Sequence, residues 1–154
     1  MSGKNILLIG VDGKIPNLAL MQISAYHKSK GHEVSLNTPN DPDIVYISCI
    51  FKKNKSSAIG ISRYYPNAEI NIGGSGVSYN WLPDEMQKIK PDYDLYSSTY
   101  SMGFTTRGCI RNCPFCIVSE KEGKYRRWQE IKEFHDDRFD TVELLDNNWY
   151  ADKD

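Results

Sequence analysis

Asn5-Ile-Leu-Leu-Ile-Gly10 is the stretch that decides the fold of the first part of this 154-residue chain. Four consecutive apolar residues closed by a glycine predict a short buried strand. Apolar residues at helical spacing from Asn17 to Lys30, followed by Gly31 as a stop signal, predict a helix after that strand. Glu33 to Leu36 predicts the next strand. The chain therefore opens with a β-α-β unit.

The same alternation continues along the chain. Asp43 to Phe51 predicts a third strand, Ser56 to Tyr65 a second helix, and Glu69 to Ile72 a fourth strand. This β-α-β-β-α-β order predicts a small parallel sheet of the α/β class, with ligand-binding loops at the carboxyl ends of its strands. The residues at those ends are Asp12, Ser48 and Gly73-Gly74. Turn glycines and a helix cap would explain the same residues without any ligand.

A cysteine cluster is the most informative feature of the chain. Cys109, Cys113 and Cys116 follow a C-x3-C-x2-C spacing, and no fourth cysteine follows them. Three thiolates without a fourth ligand indicate a [4Fe–4S] cluster with one open iron, because closed zinc and iron–sulfur sites use four protein ligands. Arg107 and Arg111 would favour deprotonated thiols there. The alternatives are a zinc site completed by His135, three free thiols, or a cluster without a catalytic role.

These residues resemble the motif of the radical S-adenosylmethionine (SAM) superfamily, C-x3-C-x-aromatic-C, with Phe115 as the aromatic residue. Residues 102–107 are similar to that family's first barrel strand. The resemblance implies that the three cysteines hold a [4Fe–4S] cluster, that its open iron binds SAM, and that reduction cleaves SAM to methionine and a 5′-deoxyadenosyl radical. It also implies that the backbone at Phe115 lies near the adenine of SAM.

A second stretch extends this resemblance. Asp146-Asn147-Asn148-Trp149 follows a predicted strand over residues 141–146. It is similar to the segment that ends the second barrel strand in cobalamin-associated members of the family. The resemblance implies SAM-proximal roles for Asp146, Asn147 and Asn148. A helix N-cap followed by a turn is the structural alternative, because Asp and Asn suit both.

The first part of the chain resembles the cobalamin-binding, Rossmann-like domain that precedes many radical SAM enzymes. Asp12, Ser48-Cys49-Ile50 and Gly73-Gly74 carry this resemblance, whereas Lys14 stands where that family has its cobalt-ligating histidine. The resemblance therefore implies a degenerate Rossmann-like domain over residues 1–95, with cobalamin the weakest of the expected cofactors. Residues 96–154 would be the opening strand–helix–strand of an incomplete partial (β/α) barrel.

These resemblances also imply partners. They are SAM, a reductant such as flavodoxin or ferredoxin, and a second chain or a missing C-terminal part that completes the barrel. The alternative function is a non-catalytic iron–sulfur or zinc module acting as an interaction protein. A net charge of −1 argues against nucleic acid, and we interpret the charged segment over residues 120–127 as solvated surface. Short apolar runs predict no membrane segment and a cytoplasmic location.

Overall fold

A parallel four-stranded sheet forms the first of two structural units. In the computed structural model, residues 3–13 and 15–151 are described, and the chain divides into units Met1–Ser97 and Ser98–Asp154. The elements of the first unit are β1 (Asn5–Gly10), α1 (Leu18–Ser29), β2 (Glu33–Leu36), β3 (Ile44–Ser48), α2 (Lys55–Ser62), β4 (Glu69–Gly73) and α3 (Asp84–Gln87). Short 3-10 turns lie at Lys52–Asn54 and Tyr93–Tyr96.

The sheet has the strand order β2-β1-β3-β4, and every pairing is parallel. Successive residues of a strand face opposite sides of a sheet, so the apolar run of β1 supplies both cores. Ile6 and Leu8 pack with residues of α1 and α3 on one face, whereas Leu7 packs with Val45 and Ala58 on the other. The predicted α/β class and element order are confirmed for this unit.

Local signals account for most element ends. The Asn17 side chain accepts the Leu20 N–H at 3.2 Å and so caps α1, and Gly31 has a φ of +78° after the helix. The third strand is shorter than predicted and stops at Ser48. Ile50 and Phe51 are exposed instead, because the chain turns there into the 3-10 segment that leads to α2.

The second unit is built on short elements. They are β5 (Ser101–Gly103), β6 (Thr106–Arg107), α4 (Val118–Lys121), β7 (Arg126–Arg127), α5 (Ile131–Phe134) and β8 (Val142–Leu144), with a 3-10 turn at Trp149–Ala151. β5 pairs in parallel with β8, and β6 pairs antiparallel with β7. The buried ring of Phe134 packs so closely on Gly103 that a Cβ there would lie 2.6 Å from it. The unit thus contains one parallel strand pair, β5 with β8, and the short helices α4 and α5 lie between these strands in sequence.

Two elements of this unit are short, and one of them is shorter than predicted. The strand predicted over residues 102–107 is interrupted at Phe104 and Thr105, where the backbone N–H of Thr105 bonds to Asp146 instead of continuing a ladder. The helix α5 is a single turn opened by a capping box between Glu130 and Glu133. Among the residues that the structure describes, no helix is both long and apolar enough to cross a membrane.

Candidate functional site

The three clustered cysteines lie on one irregular loop of the second unit, which we call the cysteine loop (residues 108–117). Cys109 and Cys113 are half-buried and Cys116 is exposed, and all three thiols are free. The Cys116 N–H donates to the Cys113 carbonyl at 3.0 Å, which forms a turn between them. Within residues 3–13 and 15–151, no three His, Cys, Asp or Glu side chains are gathered as a metal site.

The start of the cysteine loop is fixed by backbone packing. Arg107 pairs with Arg126 across β6 and β7, and Cys109 forms a further bridge with Lys124. Between them, Gly108 has a φ of +78°, and a Cβ on it would lie 2.3 Å from the Lys124 carbonyl oxygen. A residue with a side chain cannot adopt this close packing without displacement. The chain therefore enters the loop along a defined path.

The surroundings of Cys109 favour the thiolate form of its side chain. Its Sγ accepts the Arg111 backbone N–H at 3.4 Å and the Asn148 Nδ2 at 3.5 Å. The Arg111 N–H is the largest cause of a lowered pKa of the Cys109 thiol, and the Asn148 bond adds to it against the opposing effect of burial. Thiolate is the form that binds metals, and soft thiolates suit iron–sulfur clusters and zinc. The donor set of the loop fits either group.

A buried carboxylate stands beside the loop. Glu122 Oε2 accepts the Gly108 N–H at 3.0 Å and the Asn147 Nδ2 at 2.8 Å, and its Oε1 lies 3.3 Å from Arg107 Nη2. The Glu122 side chain is only 6% exposed. The interpretation of residues 120–127 as solvated surface is therefore wrong at Glu122, because this carboxylate is drawn inward by three donors.

Arg107 also differs from expectation. Its guanidinium lies 3.8 Å from the centroid of the Phe104 ring and pairs with Glu122. Burial lowers the pKa of Arg107, and the Glu122 carboxylate opposes that shift. The charge of Arg107 is thus engaged by a carboxylate, and Arg111 is the arginine whose charge acts on the Cys109 thiol.

The predicted SAM-proximal residues contact the chain around the cysteine loop. Asp146 accepts the backbone N–H groups of Thr105 at 2.8 Å and Thr106 at 3.1 Å, together with the Thr105 hydroxyl. Asn147 and Asn148 reach Glu122 and Cys109 as described above. Phe115, by contrast, is 90% exposed. The structure thus brings residues 146–148 together with Cys109.

His135, the alternative zinc ligand, has a different neighbour. Its Nδ1 lies 3.0 Å from the Ser101 hydroxyl, and its Nε2 lies 3.8 Å from an oxygen of the exposed Asp137. The Ser101 hydroxyl also accepts the Asp136 N–H at 2.9 Å. These contacts place His135 in a local network at the start of β5.

In the first unit, Asp12 and Ser48, two of the predicted loop residues, bond to residues of neighbouring loops. Asp12 accepts the N–H groups of Ile50 and Phe51 and the side-chain amide of Asn54. Burial acts to raise the pKa of Asp12, but these bonds lower it below its ordinary value. The Asn17 amide donates to the Ser48 hydroxyl at 2.8 Å. These bonds tie the loop after β1 to the loop after β3.

The glycines after β4 serve the same loop packing. Gly74 has a φ of +99°, and a Cβ on it would lie 2.3 Å from the Cys49 carbonyl oxygen. Cys49 is a buried free thiol, and burial followed by the Asp12 charge raises its pKa. Lys14, the position of the expected cobalt ligand, lies outside the described residues. The cobalamin expectation therefore stays a prediction.

Comparisons with known proteins do not assign the chain. It matches no protein-family model, no curated protein and no solved structure at a significant level. A function cannot be taken from the fold class alone, because one fold supports many activities. The chemistry of the cysteine loop and its contacts is the remaining basis for a function.

Proposed function

We propose that this chain provides the cluster-binding part of a radical SAM enzyme, with Cys109, Cys113 and Cys116 as ligands of a [4Fe–4S] cluster. The observation that carries the proposal is the pair of N–H donors on Cys109 Sγ, from Arg111 and Asn148, in a loop that holds two further thiols. Hydrogen bonds to cluster sulfurs are one of the means by which proteins adjust such centres. When bound, the cluster passes an electron from a reductant such as flavodoxin or ferredoxin to SAM, which is cleaved to methionine and a 5′-deoxyadenosyl radical.

In this proposal the chain's own residues present the thiols in an ordered geometry. Gly108 fixes the entry of the loop through its packing on Lys124. The parallel pairing of β5 with β8 supports a strand–helix–strand opening of a (β/α) barrel, because it joins these strands as barrel neighbours would be joined. The strand order of the first unit, with helices on both faces, supports a Rossmann-like domain.

The alternative is a non-catalytic iron–sulfur or zinc module that acts as an interaction protein. One observation favours it: large apolar side chains on the cysteine loop face solvent. Phe115 is 90% exposed and Ile110 is 68% exposed. Clustered exposed apolar groups are typical of surfaces that bind another molecule. In a SAM enzyme the same surface would be covered by cofactor or by further chain.

The deciding experiment is electron paramagnetic resonance on the anaerobically reconstituted and reduced chain, with and without SAM. The proposal predicts about four irons per chain and a reduced-cluster signal that changes shape when SAM is added. Serine substitution at Cys109, Cys113 or Cys116 should abolish the signal. Cys49→Ala is the matched control, since that thiol is buried in the first unit, and it should retain the signal. Zinc bound in place of iron would refute the proposal.

A further inference from the structure

We infer that the segment Asp146–Asn148 positions the cysteine loop, and that its side chains act on that loop instead of contacting SAM. The inference deepens the proposed function and depends on it only for the spectroscopic half of its test. Asp146 contacts a residue just before the loop and Asn148 contacts Cys109 within it, whereas Asn147 contacts Glu122, which in turn accepts the N–H of Gly108 at the start of the loop. These contacts account for the carboxylate of Asp146 and the amides of Asn147 and Asn148, so no contact with SAM has to be invoked to explain these residues.

The strand register brings these residues together. β8 pairs in parallel with β5, with Leu144 opposite Gly103, and the Leu145 N–H donates to the Gly103 carbonyl at 2.9 Å. The chain therefore leaves both strands at the same end. Residues that follow β8 emerge beside residues that follow β5, and the latter lead directly into the cysteine loop.

Asp146 acts on the approach to the loop. Its Oδ1 accepts two successive backbone N–H groups, from Thr105 at 2.8 Å and Thr106 at 3.1 Å, and its Oδ2 accepts the Thr105 hydroxyl. A carboxylate that accepts several backbone N–H groups fixes the local backbone as an N-cap does at a helix start. These bonds use both carboxylate oxygens of Asp146.

Asn147 acts on the loop entrance through Glu122. Its Nδ2 donates to Glu122 Oε2 at 2.8 Å, and the same oxygen accepts the N–H of Gly108, the residue before the first cysteine. The contact joins the end of β8 to the entrance of the loop. Glu122 is itself a positioning residue in this arrangement, because it holds Arg107, Gly108 and Asn147 with one buried carboxylate.

Asn148 acts on the sulfur. Its Nδ2 lies 3.5 Å from Cys109 Sγ, within hydrogen-bond distance for sulfur. The three successive side chains thus reach the approach, the entrance and the first thiol of the loop. Such second contacts around metal ligands commonly set ligand orientation and the properties of the bound metal. The segment therefore positions Cys109, the first of the three cysteines, and the backbone that leads to it.

The first test uses the chain without a cluster and measures residue-resolved amide hydrogen exchange by NMR. Asp146→Ala should speed exchange at the Thr105 and Thr106 amides by about tenfold, as expected for loss of a hydrogen bond to a charged acceptor. Asn147→Ala should speed exchange at Gly108. Asp140→Ala is the matched control, because Asp140 is an exposed aspartate shortly before β8, and it should leave all three amides unchanged. Unchanged exchange at these amides in Asp146→Ala and Asn147→Ala would overturn the inference.

The second test uses the reconstituted chain and separates positioning from SAM contact. Asn148→Ala should alter the reduced-cluster spectrum before SAM is added and shift its midpoint potential to more negative values, because one donor to sulfur is lost. Asn112→Ala, an exposed asparagine on the same loop, should leave both unchanged. An unaltered SAM-free spectrum with a lost response to SAM would overturn the inference and leave the proposed function standing. If the unsubstituted chain binds no iron, the proposed function fails, and the exchange data decide the inference alone.

Discussion

The substitution Glu122→Gln tests the buried ion pair that supports the cysteine loop. Glu122 and Arg107 have side chains only 6% and 13% exposed, and their charged atoms lie 3.3 Å apart. Glutamine keeps the size of the side chain and can still accept the Gly108 N–H. It removes the negative charge and leaves the Arg107 guanidinium buried without its carboxylate.

The distance and burial of the Arg107–Glu122 pair determine the expected loss of stability. At 3.3 Å and an effective dielectric constant of about 20, the direct attraction between two unit charges is about 5 kcal/mol. The Phe104 ring, 3.8 Å from the Arg107 guanidinium, and the retained Gly108 bond offset part of the loss. Removing one partner of a buried pair usually costs 3–5 kcal/mol. We expect the free energy of unfolding of the second unit to fall by about 3 kcal/mol.

The assay is urea unfolding followed by tryptophan fluorescence in a Trp81→Phe background. Trp81 belongs to the first unit, and the remaining tryptophans, Trp128 and Trp149, belong to the second. Glu120→Gln is the matched control, because Glu120 lies exposed on α4, the short helix whose C-cap residue is Glu122, and it should change stability by less than about 0.5 kcal/mol.

A double substitution separates the pair from the single residues. Arg107→Met combined with Glu122→Gln should be less destabilising than the sum of the single changes, by about 1 kcal/mol or more, since neither charge of the pair remains. If Glu122→Gln behaves like Glu120→Gln, or if the single effects simply add, the reasoning from the buried pair is refuted.

Three further predictions concern other parts of the chain. Gly74→Ala should destabilise the first unit by about 2 kcal/mol or more in urea unfolding, because its φ is +99° and its Cβ would meet the Cys49 carbonyl. The control Gly60→Ala, in open space on α2, should be neutral or slightly stabilising. Equal effects of the two substitutions would contradict this prediction. The pKa of His27 is lowered to about 4 by burial, then by His32 and Lys4. Because the unfolded state binds the proton more tightly, the contribution of neutral His27 to stability should be fully present above pH 6.5 and should fall by about 2 kcal/mol toward pH 4. His27→Gln should flatten this pH dependence of the free energy of unfolding, and an NMR titration of the His27 ring should locate the pKa. Phe115→Ala should leave the unfolding midpoint unchanged, because the ring is 90% exposed, and a clear loss of stability would show that the ring is packed.

The sheet of the first unit was predictable because its signals are local. Ile6, Leu7 and Leu8 form one apolar run, which a strand covered by helices on both faces requires. Asn17 and Gly31 are side-chain and backbone signals that act within a few residues of the helix ends they mark. The strand predicted to Phe51 was too long, because Ile50 and Phe51 are apolar but lie exposed in the turn before α2.

The three cysteines were found for a similar reason, since their spacing is contained in eight residues. Asp146, Asn147 and Asn148 were singled out for a place near SAM, but their bonds to the loop were not predicted, because these bonds join distant positions. Asn148 reaches Cys109 across 39 positions, and Asp146 reaches Thr105 across 41. The parallel register of β5 and β8 brings these residues together. Each of the two strands has only three residues, which is too few for the sequence to predict that register.

Glu122 is the position where local reasoning fails most clearly, and the reason is physical. Acidic and basic neighbours in sequence indicate a solvated segment, because charges are normally left in water. Here the turn after α4 directs one carboxylate toward donors from distant parts of the chain: Arg107 and Gly108 at the start of the cysteine loop, and Asn147 after β8. The favourable bonds of a buried carboxylate depend on groups that only the folded chain brings together. A buried charge of this kind is therefore specified by the same strand register that presents Cys109, so the stability of the second unit and the geometry of its first thiol should change together when Glu122 is altered.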